Sequence, residues 1–293
     1  MIKKVLRSIL RIKENETVAD GIERHYYHFE KKIPYRKISR EELGQYLDEI
    51  GVKKGDVLIV HASWRALYML DMCPEDVIRL LLDKIGKEEG TLLMPAYGED
   101  NSSFDLNKTK SVAGVLSESL RNYPGTMRSC FPKFSMCGYG KHAEEILNKH
   151  KNSLYQFDEN SPYSIATKEY NAKVLLMGMG KRPHKITVFH CASYALKNSI
   201  DYYKECYSNY KTAYVLSDVG GGTVQYLDRM PGYNNNKHVF KKLFESIPNK
   251  GIVSKKRLNL IIFNAIDAYN VAWEFCKNGG KIYTCLLYTS DAA

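Results

Sequence analysis

The stretch DVLIVHAS, residues 56–63, decides the fold class because it has the pattern of a strand buried on both faces. Four consecutive aliphatic residues begin at Val57, and a polar turn follows them. Such a short, continuous apolar run is typical of a strand in a sheet that helices cover on both sides. The same pattern recurs at residues 91–98 (TLLMPAYG) and 171–180 (NAKVLLMGMG). The sequence therefore predicts a central sheet that contains these three segments.

Segments with helical periodicity alternate with these strands. Residues 39–51 place Ser39 at an N-cap position and Glu42 three residues later, which is the spacing of a capping box. Residues 73–90 (CPEDVIRLLLDKIGKEEG) and 114–126 (GVLSESLRNYPGT) also have apolar residues at helical spacing. Strand and helix in alternation predict an α/β fold with a mainly parallel sheet.

The C-terminal third has a different pattern. Residues 212–233 (TAYVLSDVGGGTVQYLDRMPGY) carry β-type residues on both sides of three glycines, which predicts a hairpin-like β excursion. Residues 254–284 then predict a strand and a helix that close the domain. We find no internal repeat or linker, so we expect one elaborated domain at residues 39–284 after a charged N-terminal extension at residues 1–38.

The two ends of the chain are interpreted separately. Residues 2–10 have apolar residues at helical spacing opposite basic ones, so this segment packs on a protein surface or associates weakly with an anionic membrane surface. Arg7 and Arg11 interrupt the apolar run that a secretion signal needs. Residues 285–293 (CLLYTSDAA) resemble an in-frame translation of a transposase sequencing adapter, and we expect no functional information from them.

Composition and charge narrow the classes of function. The 293 residues contain no run of eighteen apolar residues, so no membrane span is expected. The seven cysteines show no CxxC spacing, which predicts no metal or redox centre and favours a reducing, cytoplasmic location. A net charge of +10 favours an anionic ligand. The basic residues are dispersed and form no nucleic-acid motif, so we expect no nucleic-acid partner, and a homo-oligomer is compatible with the sequence.

Ligands of such sheets usually bind beyond the carboxyl ends of the strands. These ends carry HASWR (61–65), PAYGEDNSS (95–103) and GMGKRPHK (178–185). The third segment resembles the start of a dinucleotide fingerprint, but Pro183 stands where the third glycine belongs. We interpret its glycines as conformational, because a strand end often needs them.

A series of longer blocks resembles the aminoglycoside 3-N-acetyltransferase family. The blocks follow one another in the family's order at residues 39–67, 90–105, 114–146, 159–180 and 187–194. The resemblance implies a three-layer α/β/α sandwich and direct transfer of an acetyl group from acetyl-CoA, as co-substrate, to an amine. Members of this family act on aminoglycosides or on amino sugars in glycan assembly, and residues 194–204 (YALKNSIDYYK) are more similar to the glycan-assembly members.

The resemblance places His190 at the position of the family's histidine base. An amine must lose a proton as it attacks a thioester, and imidazole suits this transfer near neutral pH. On its own, the local sequence TVFHCASYALKN (187–198) favours a core histidine, and the resemblance shifts the balance towards a base. Ser193 replaces a glutamate that is usual in the family, and Phe131 and Phe134 replace histidines of many members. Because of these departures, a catalytically inactive homologue remains an alternative interpretation.

The same blocks suggest residues that bind the substrates. Candidates for contacts with CoA are Ser63, Trp64, Arg65, Arg128, Ser129 and Ser135. The amides of Ala62 and Ser63 are candidates for stabilising the oxyanion. Candidates for a cationic acceptor are Asp100, Asn101 and Asp105, whereas His61 is interpreted as structural.

The sequence therefore predicts an acetyl-CoA-dependent N-acetyltransferase with an amino-sugar-containing acceptor. Two alternatives remain: modification of aminoglycoside antibiotics, which is a resistance activity, and a homologue that binds CoA without turnover.

Overall fold

A computed structural model describes residues 7–8, 11–12, 18–99, 102–180, 186–218 and 220–285. Its strands are β1 (Val57–Ala62), β2 (Thr91–Pro95), β3 (Ser103–Asp105), β4 (Met127–Arg128), β5 (Met136–Gly140), β6 (Lys173–Met177), β7 (Asn209–Ser217), β8 (Gly220–Asp228), β9 (Tyr233–Asn235), β10 (Gly251–Lys255), β11 (Leu258–Asn264) and β12 (Tyr283–Cys285). Its α-helices are α1 (Val18–Glu30), α2 (Arg40–Glu49), α3 (Pro74–Ile85), α4 (Val115–Arg121), α5 (Ala143–Asn148), α6 (Pro162–Lys168), α7 (Val188–Ala195), α8 (Asp201–Cys206), α9 (Lys237–Ser246) and α10 (Ala265–Lys277). Two 3₁₀ turns occupy Trp64–Leu67 and Lys149–Asn152.

The central sheet has the strand order β10–β11–β6–β1–β2–β5–β4 within the described part of the chain. Strand β1 lies between β2 and β6 and is parallel to both, so that Ile59 pairs with Leu93 on one side and Val174 on the other. The remaining pairings are antiparallel. The fold is therefore α/β with a mixed sheet.

The prediction of a mainly parallel sheet is wrong for the outer strands, which pair in antiparallel fashion, and at one edge of the sheet the reason is a tight hairpin. Lys256 and Arg257 join β10 to β11, and both have positive φ angles, of 49° and 68°. Such a two-residue turn makes an antiparallel pair, whereas a parallel pair needs a long crossover. Neither residue is a glycine or an asparagine, so the sequence gives no signal for this turn.

Helices cover both faces of the sheet, and the side chains of β1 alternate between them. Leu58 and Val60 belong to a hydrophobic cluster that includes residues of α2 and α3. Ile59 belongs to the cluster on the opposite face, with residues of α7 and α10. These side chains are all buried, which confirms the prediction of a strand enclosed on both faces.

The predicted cap of α2 is half formed. The Ser39 side chain accepts a hydrogen bond from the Glu42 amide at 3.3 Å, as an N-cap residue does. The Glu42 carboxylate does not complete the box, because it accepts hydrogen bonds from Tyr46 and from Lys256 of the β10–β11 turn. This contact joins α2 to the sheet edge.

The predicted β excursion is a long hairpin of β7 and β8, and β3 extends it into a three-stranded sheet. The buried carboxylate of Asp228, at the end of β8, forms ion pairs with Lys133 at 2.6 Å and with the exposed Lys211 of β7 at 3.1 Å. The pair with Lys133 fixes the base of the hairpin to the loop between β4 and β5, and the pair with Lys211 joins the two strands of the hairpin.

The described part of the N-terminal extension packs on the domain. The Tyr68 hydroxyl donates to the Glu30 carboxylate at 3.2 Å, and Arg257 donates to the Glu30 carbonyl at 3.0 Å. The helix predicted at residues 2–10 lies almost entirely outside the described residues. Among the helices that are described, none has both the length and the apolarity to cross a membrane.

Candidate active site

A cleft of about 730 Å³ opens where β1, β2 and β6 end. It lies at the carboxyl ends of the three parallel strands, as the α/β pattern predicts. The lining residues are Glu23, His61, Ala62, Ser63, Trp64, Arg65, Pro95, Tyr97, Ala113, Gly114, Val115, Phe134, Gly178, Met179, Ile186, Thr187, His190, Asn235 and Phe240.

Gly178 shapes the floor of this cleft. Its φ angle is +68°, and a Cβ atom there would lie 3.0 Å from Ala66 Cβ and 3.1 Å from the Ser63 carbonyl oxygen. A side chain would therefore separate the end of β6 from the turn that follows β1. This close approach confirms that the glycine is conformational.

The helix α7 places His190 at the cleft, where its ring is half-buried. Its Nδ1 atom lies 2.6 Å from the Tyr283 hydroxyl oxygen. The imidazole is nearly parallel to the rings of Phe157, at 5.2 Å and 15°, and of Tyr283, at 5.7 Å and 3°. The stacked rings and the hydrogen bond fix both the plane and the rotation of the imidazole.

The surroundings of His190 keep its imidazole neutral. Burial, with a smaller effect of the Arg229 charge, lowers the pKa of His190 to about 3. At pH 7 the ring therefore has a nitrogen lone pair that can take a proton. Because Tyr283 occupies Nδ1, Nε2 is the nitrogen left for a molecule in the cleft.

Ser193 does not face the cleft. Its buried hydroxyl donates to the His190 carbonyl at 3.0 Å and lies 2.5 Å from the Tyr207 hydroxyl and 3.3 Å from that of Tyr283. Burial raises the pKa of Tyr207 and Tyr283, so both phenols are protonated. The polar group that contacts the imidazole is therefore Tyr283, which is 93 residues away in sequence.

Three of the six predicted CoA-binding residues line the cleft: Ser63, Trp64 and Arg65. The Ser63 amide donates to the Met177 carbonyl at 3.0 Å, so the expectation that it stabilises an oxyanion is wrong. The Ser63 hydroxyl does not cap the following turn. Arg65 is exposed and places a cation at the cleft.

Arg128 is not among the lining residues. Its guanidinium donates to the carbonyl oxygens of Ala96, Leu106 and Thr109 and lies 4.7 Å from the centre of the Phe104 ring. Burial lowers the pKa of Arg128 to about 10, which leaves it charged at neutral pH. The side chain joins several loops from inside the protein.

Ser129 and Ser135 also lie inside the protein. The Ser135 hydroxyl donates to the Ala96 carbonyl at 2.8 Å. The Ser129 oxygen accepts from the Met136 amide at 2.8 Å and lies 2.8 Å from Nδ1 of the buried His150. Both serines are buried, and their contacts stabilise the β4–β5 connection.

The two phenylalanines that replace family histidines have different positions. Phe134 lines the cleft, contacts Tyr97 with the ring centres 4.8 Å apart and the planes tilted by 50°, and has a positive φ of 55°. Phe131 is buried and stacks on His150 at 4.5 Å. The cleft nevertheless holds a second imidazole, that of His61, and burial lowers its pKa to about 4.

The predicted acidic loop contributes no carboxylate to the described cleft lining. The Asp105 side chain accepts from the amides of Asn107 and Lys108, both at 2.9 Å. Asp100 and Asn101 lie outside the described residues. Among the lining residues that the structure describes, the carboxylate is that of Glu23, on α1. Glu23 could not be predicted as a site residue, because it lies in the N-terminal extension, before the first block that resembles the family at Ser39.

The mixed sheet and the cleft, with its neutral histidine, define the class of protein: an α/β protein with a ligand cleft at the carboxyl ends of its parallel strands. A sequence profile described as aminoglycoside 3-N-acetyltransferase matches residues 59–275. The match covers most of the chain, so the chain belongs to the aminoglycoside 3-N-acetyltransferase family.

Curated relatives have moderate identity to this chain. Aminoglycoside N(3)-acetyltransferase IV of a Salmonella species is 31% identical over 170 residues, which cover 56% of this chain and 62% of the relative. The prophage-derived aminoglycoside N(3')-acetyltransferase-like protein YokD of Bacillus subtilis is 26% identical over 183 residues, or 54% of this chain and 65% of that protein. The matched region thus spans less than two thirds of each relative.

A solved structure, AAC-IIIb in a binary complex with CoASH, has the same fold. It superposes with a TM-score of 0.68 at 22% identity, over 83% of this chain and 97% of that chain.

Proposed function

We propose that this chain transfers the acetyl group of acetyl-CoA to a primary amine of an amino-sugar-containing acceptor. The observation that supports this activity is a neutral and fixed imidazole, that of His190, at the cleft of a protein that belongs to this family. Its ring is neutral, its orientation is fixed, and its Nε2 atom is left for a ligand in a cleft at the carboxyl ends of the central strands.

The reaction needs one proton acceptor. The amine nitrogen attacks the thioester carbonyl carbon, the new C–N bond forms and the C–S bond breaks. The amine proton passes to Nε2 of His190 and then to the sulfur that leaves as a thiol. A positioned base of this kind contributes about 10²–10⁴-fold to the rate.

The low pKa of His190 decides the form in which the acceptor reacts. A base with a pKa of about 3 does not remove a proton from a free ammonium at equilibrium. The acceptor must therefore enter as the neutral amine. His190 takes the proton when the nitrogen becomes acidic, as its bond to the carbonyl carbon forms.

The residues at the cleft are compatible with the co-substrate. Trp64, Ile186 and Phe240 give apolar walls to the cleft, and Arg65 adds a guanidinium that can bind a phosphate through paired hydrogen bonds. We assign contacts with CoA to Ser63, Trp64 and Arg65. For Arg128, Ser129 and Ser135 we propose a supporting role in place of the predicted contacts.

The charge of the cleft supports an acceptor with few amines. Aminoglycosides carry several ammonium groups, and a site for them is expected to present several carboxylates. In the part of the chain that the structure describes, Glu23 is the lining carboxylate and Arg65 the lining guanidinium. An amino sugar with one amine, linked to an anionic group, fits this balance. The curated relatives favour an aminoglycoside, which is the second candidate.

The N-terminal extension belongs to the functional unit in this proposal, because α1 brings Glu23 to the cleft. We also infer that the sheet and its two helical layers form the three-layer α/β/α sandwich that the resemblance implies. Helical residues in both hydrophobic clusters support this arrangement.

Thiol release from acetyl-CoA tests the proposal with the full chain. The acceptors are free amino sugars, nucleotide-linked amino sugars and aminoglycosides, and the controls are His190→Gln and the surface variant His238→Gln. We expect turnover with a nucleotide-linked amino sugar that His190→Gln abolishes and His238→Gln preserves. A preference for aminoglycosides would favour the second candidate. Folded protein that binds CoA but transfers acetyl to none of these amines would refute the activity.

A further inference from the structure

We propose that Tyr283 is a positioning residue that fixes the tautomer of His190 through a closed chain of hydrogen bonds. This hydrogen-bond chain runs from the His190 ring through the hydroxyls of Tyr283, Tyr207 and Ser193 back to the His190 carbonyl. Its kinetic consequence rests on the proposed function, whereas the tautomer can be measured without turnover.

The direction of the chain follows from its last member. The His190 carbonyl oxygen has no proton and can only accept, so Ser193, at 3.0 Å, must donate its single hydroxyl proton to it. The Ser193 oxygen is then an acceptor in its contact with the Tyr207 hydroxyl, which lies 2.5 Å away. Tyr207 therefore donates to Ser193.

The same assignment of donors and acceptors extends to Tyr283 and the imidazole. Because the Tyr207 proton is engaged, the Tyr283 hydroxyl, at 2.8 Å, donates to the Tyr207 oxygen. The Tyr283 oxygen then accepts at its 2.6 Å contact with Nδ1 of His190. Nδ1 must carry the proton of the neutral ring, and Nε2 must carry the lone pair. This is the tautomer that a base in the cleft needs.

The opposite direction is disfavoured by the same geometry. If Tyr283 donated to Nδ1, then Tyr207 would donate to Tyr283 and Ser193 would donate to Tyr207. The Ser193 oxygen would then face the His190 carbonyl at 3.0 Å with no proton between two acceptors. The direction that places the proton on Nδ1 satisfies every hydroxyl.

The chain orients the imidazole without adding negative charge. Both phenols stay protonated because burial raises their pKa values. At Tyr283 this effect outweighs that of the Arg229 guanidinium, which lies 4.5 Å from the ring centre and lowers the pKa. A carboxylate in the same place would both orient the ring and stabilise its protonated form. Ser193 therefore has a function here as the terminus of the chain, and Tyr283 makes the contact with the imidazole.

Nitrogen NMR of ¹⁵N-histidine-labelled protein tests the tautomer directly. The His190 signals are assigned from the spectrum of His190→Gln. We expect the wild-type ring to be protonated at Nδ1 and bare at Nε2 at pH 7. In Tyr283→Phe, which removes the acceptor, we expect population of the Nε2-protonated tautomer. A wild-type ring protonated at Nε2, or a Tyr283→Phe spectrum that matches wild type, would overturn the proposal.

Kinetics provide the second readout, with Tyr203→Phe as the matched control. Tyr203 is buried, and its hydroxyl donates to the Gly280 carbonyl at 2.8 Å. It is not a member of the series of hydrogen bonds that ends at His190. We expect kcat of Tyr283→Phe to fall about tenfold, the loss of one oriented hydrogen bond, with KM for acetyl-CoA changed less than about twofold. Tyr203→Phe should lose stability and keep kcat. Equal losses of kcat in the two variants would contradict a positioning role. If the enzyme turns over no acceptor, the tautomer result still decides the proposal.

Discussion

His190 and His150 have similar surroundings and differ in their access to the cleft. Each ring is nearly parallel to a phenylalanine ring, at 5.2 Å for His190 and 4.5 Å for His150. Each Nδ1 contacts a hydroxyl, that of Tyr283 at 2.6 Å or of Ser129 at 2.8 Å. Burial lowers both pKa values to about 3. His190 lines the cleft, whereas His150 is fully buried.

The comparison teaches that a perturbed pKa does not identify a catalytic histidine. Burial is the main cause of the neutral ring at both positions, and the Arg229 charge adds a smaller effect at His190. The two rings differ in their access to the cleft. His190 lines the cleft, whereas Nε2 of His150 is buried and has no hydrogen-bond partner among the described residues. A histidine base needs a neutral ring, a fixed orientation and access to the cleft, and His190 combines all three.

The largest predicted effect is the loss of turnover in His190→Gln. We expect kcat to fall about 10²–10⁴-fold, because the amine proton then has no positioned acceptor. The matched variant His150→Gln should keep kcat within about twofold and lower the free energy of unfolding by about 1–3 kcal/mol, since it alters buried packing. Steady-state kinetics and denaturant unfolding measure both. A larger loss of kcat in His150→Gln than in His190→Gln would contradict the proposal that His190 is the base.

Two arginines extend the comparison to the CoA-binding residues. Arg128→Met should lower the free energy of unfolding by about 3 kcal/mol, because it removes the hydrogen bonds of a charged donor to three loop carbonyl oxygens, and should leave KM for acetyl-CoA unchanged. Arg65→Met should raise that KM about fivefold, because we propose that its exposed guanidinium contacts a phosphate of CoA, and should lower stability less than Arg128→Met does. A large rise of KM in a stable Arg128→Met protein would contradict the supporting role and indicate that Arg128 contacts CoA.

The smallest predicted effect is the pH dependence that the two histidines share. Their folded pKa values lie below the ordinary value of about 6.5, so the unfolded chain binds more protons. Each histidine should therefore lower the free energy of unfolding by about 1.4 kcal/mol per pH unit as the pH falls from about 6 towards 4. Urea unfolding of wild type, His150→Gln and His190→Gln between these pH values measures the slope. Identical slopes in all three proteins would contradict the lowered pKa values.

Much of the fold could be predicted because its signals are local. The apolar run at residues 57–60, the Ser39 cap and the glycine-bearing hairpin each depend on neighbours in sequence. The carboxyl-end position of the cleft follows from parallel β1, β2 and β6. The antiparallel pair β10–β11 could not be predicted, because Lys256 and Arg257 form its turn without the usual turn residues.

The site was less predictable because its contacts are distant in sequence. His190 and the segment Ser63–Arg65 follow strand ends or a matched block, and these signals could be read from the sequence. Tyr283 reaches His190 across 93 residues, and Glu23 comes from the extension. Arg128 is a charged residue after a turn, and sequence cannot show that its donors are directed inward at carbonyl oxygens.

The central claim is that His190, and not His150, meets the molecule in the cleft. The most direct measurement is the ¹⁵N-histidine spectrum of the full chain titrated with CoA, with CoA binding followed in parallel by calorimetry. We predict that the His190 signals shift as CoA binds and that the His150 signals, assigned from His150→Gln, do not. Saturated binding with unchanged His190 signals, or a larger shift at His150, would contradict this account.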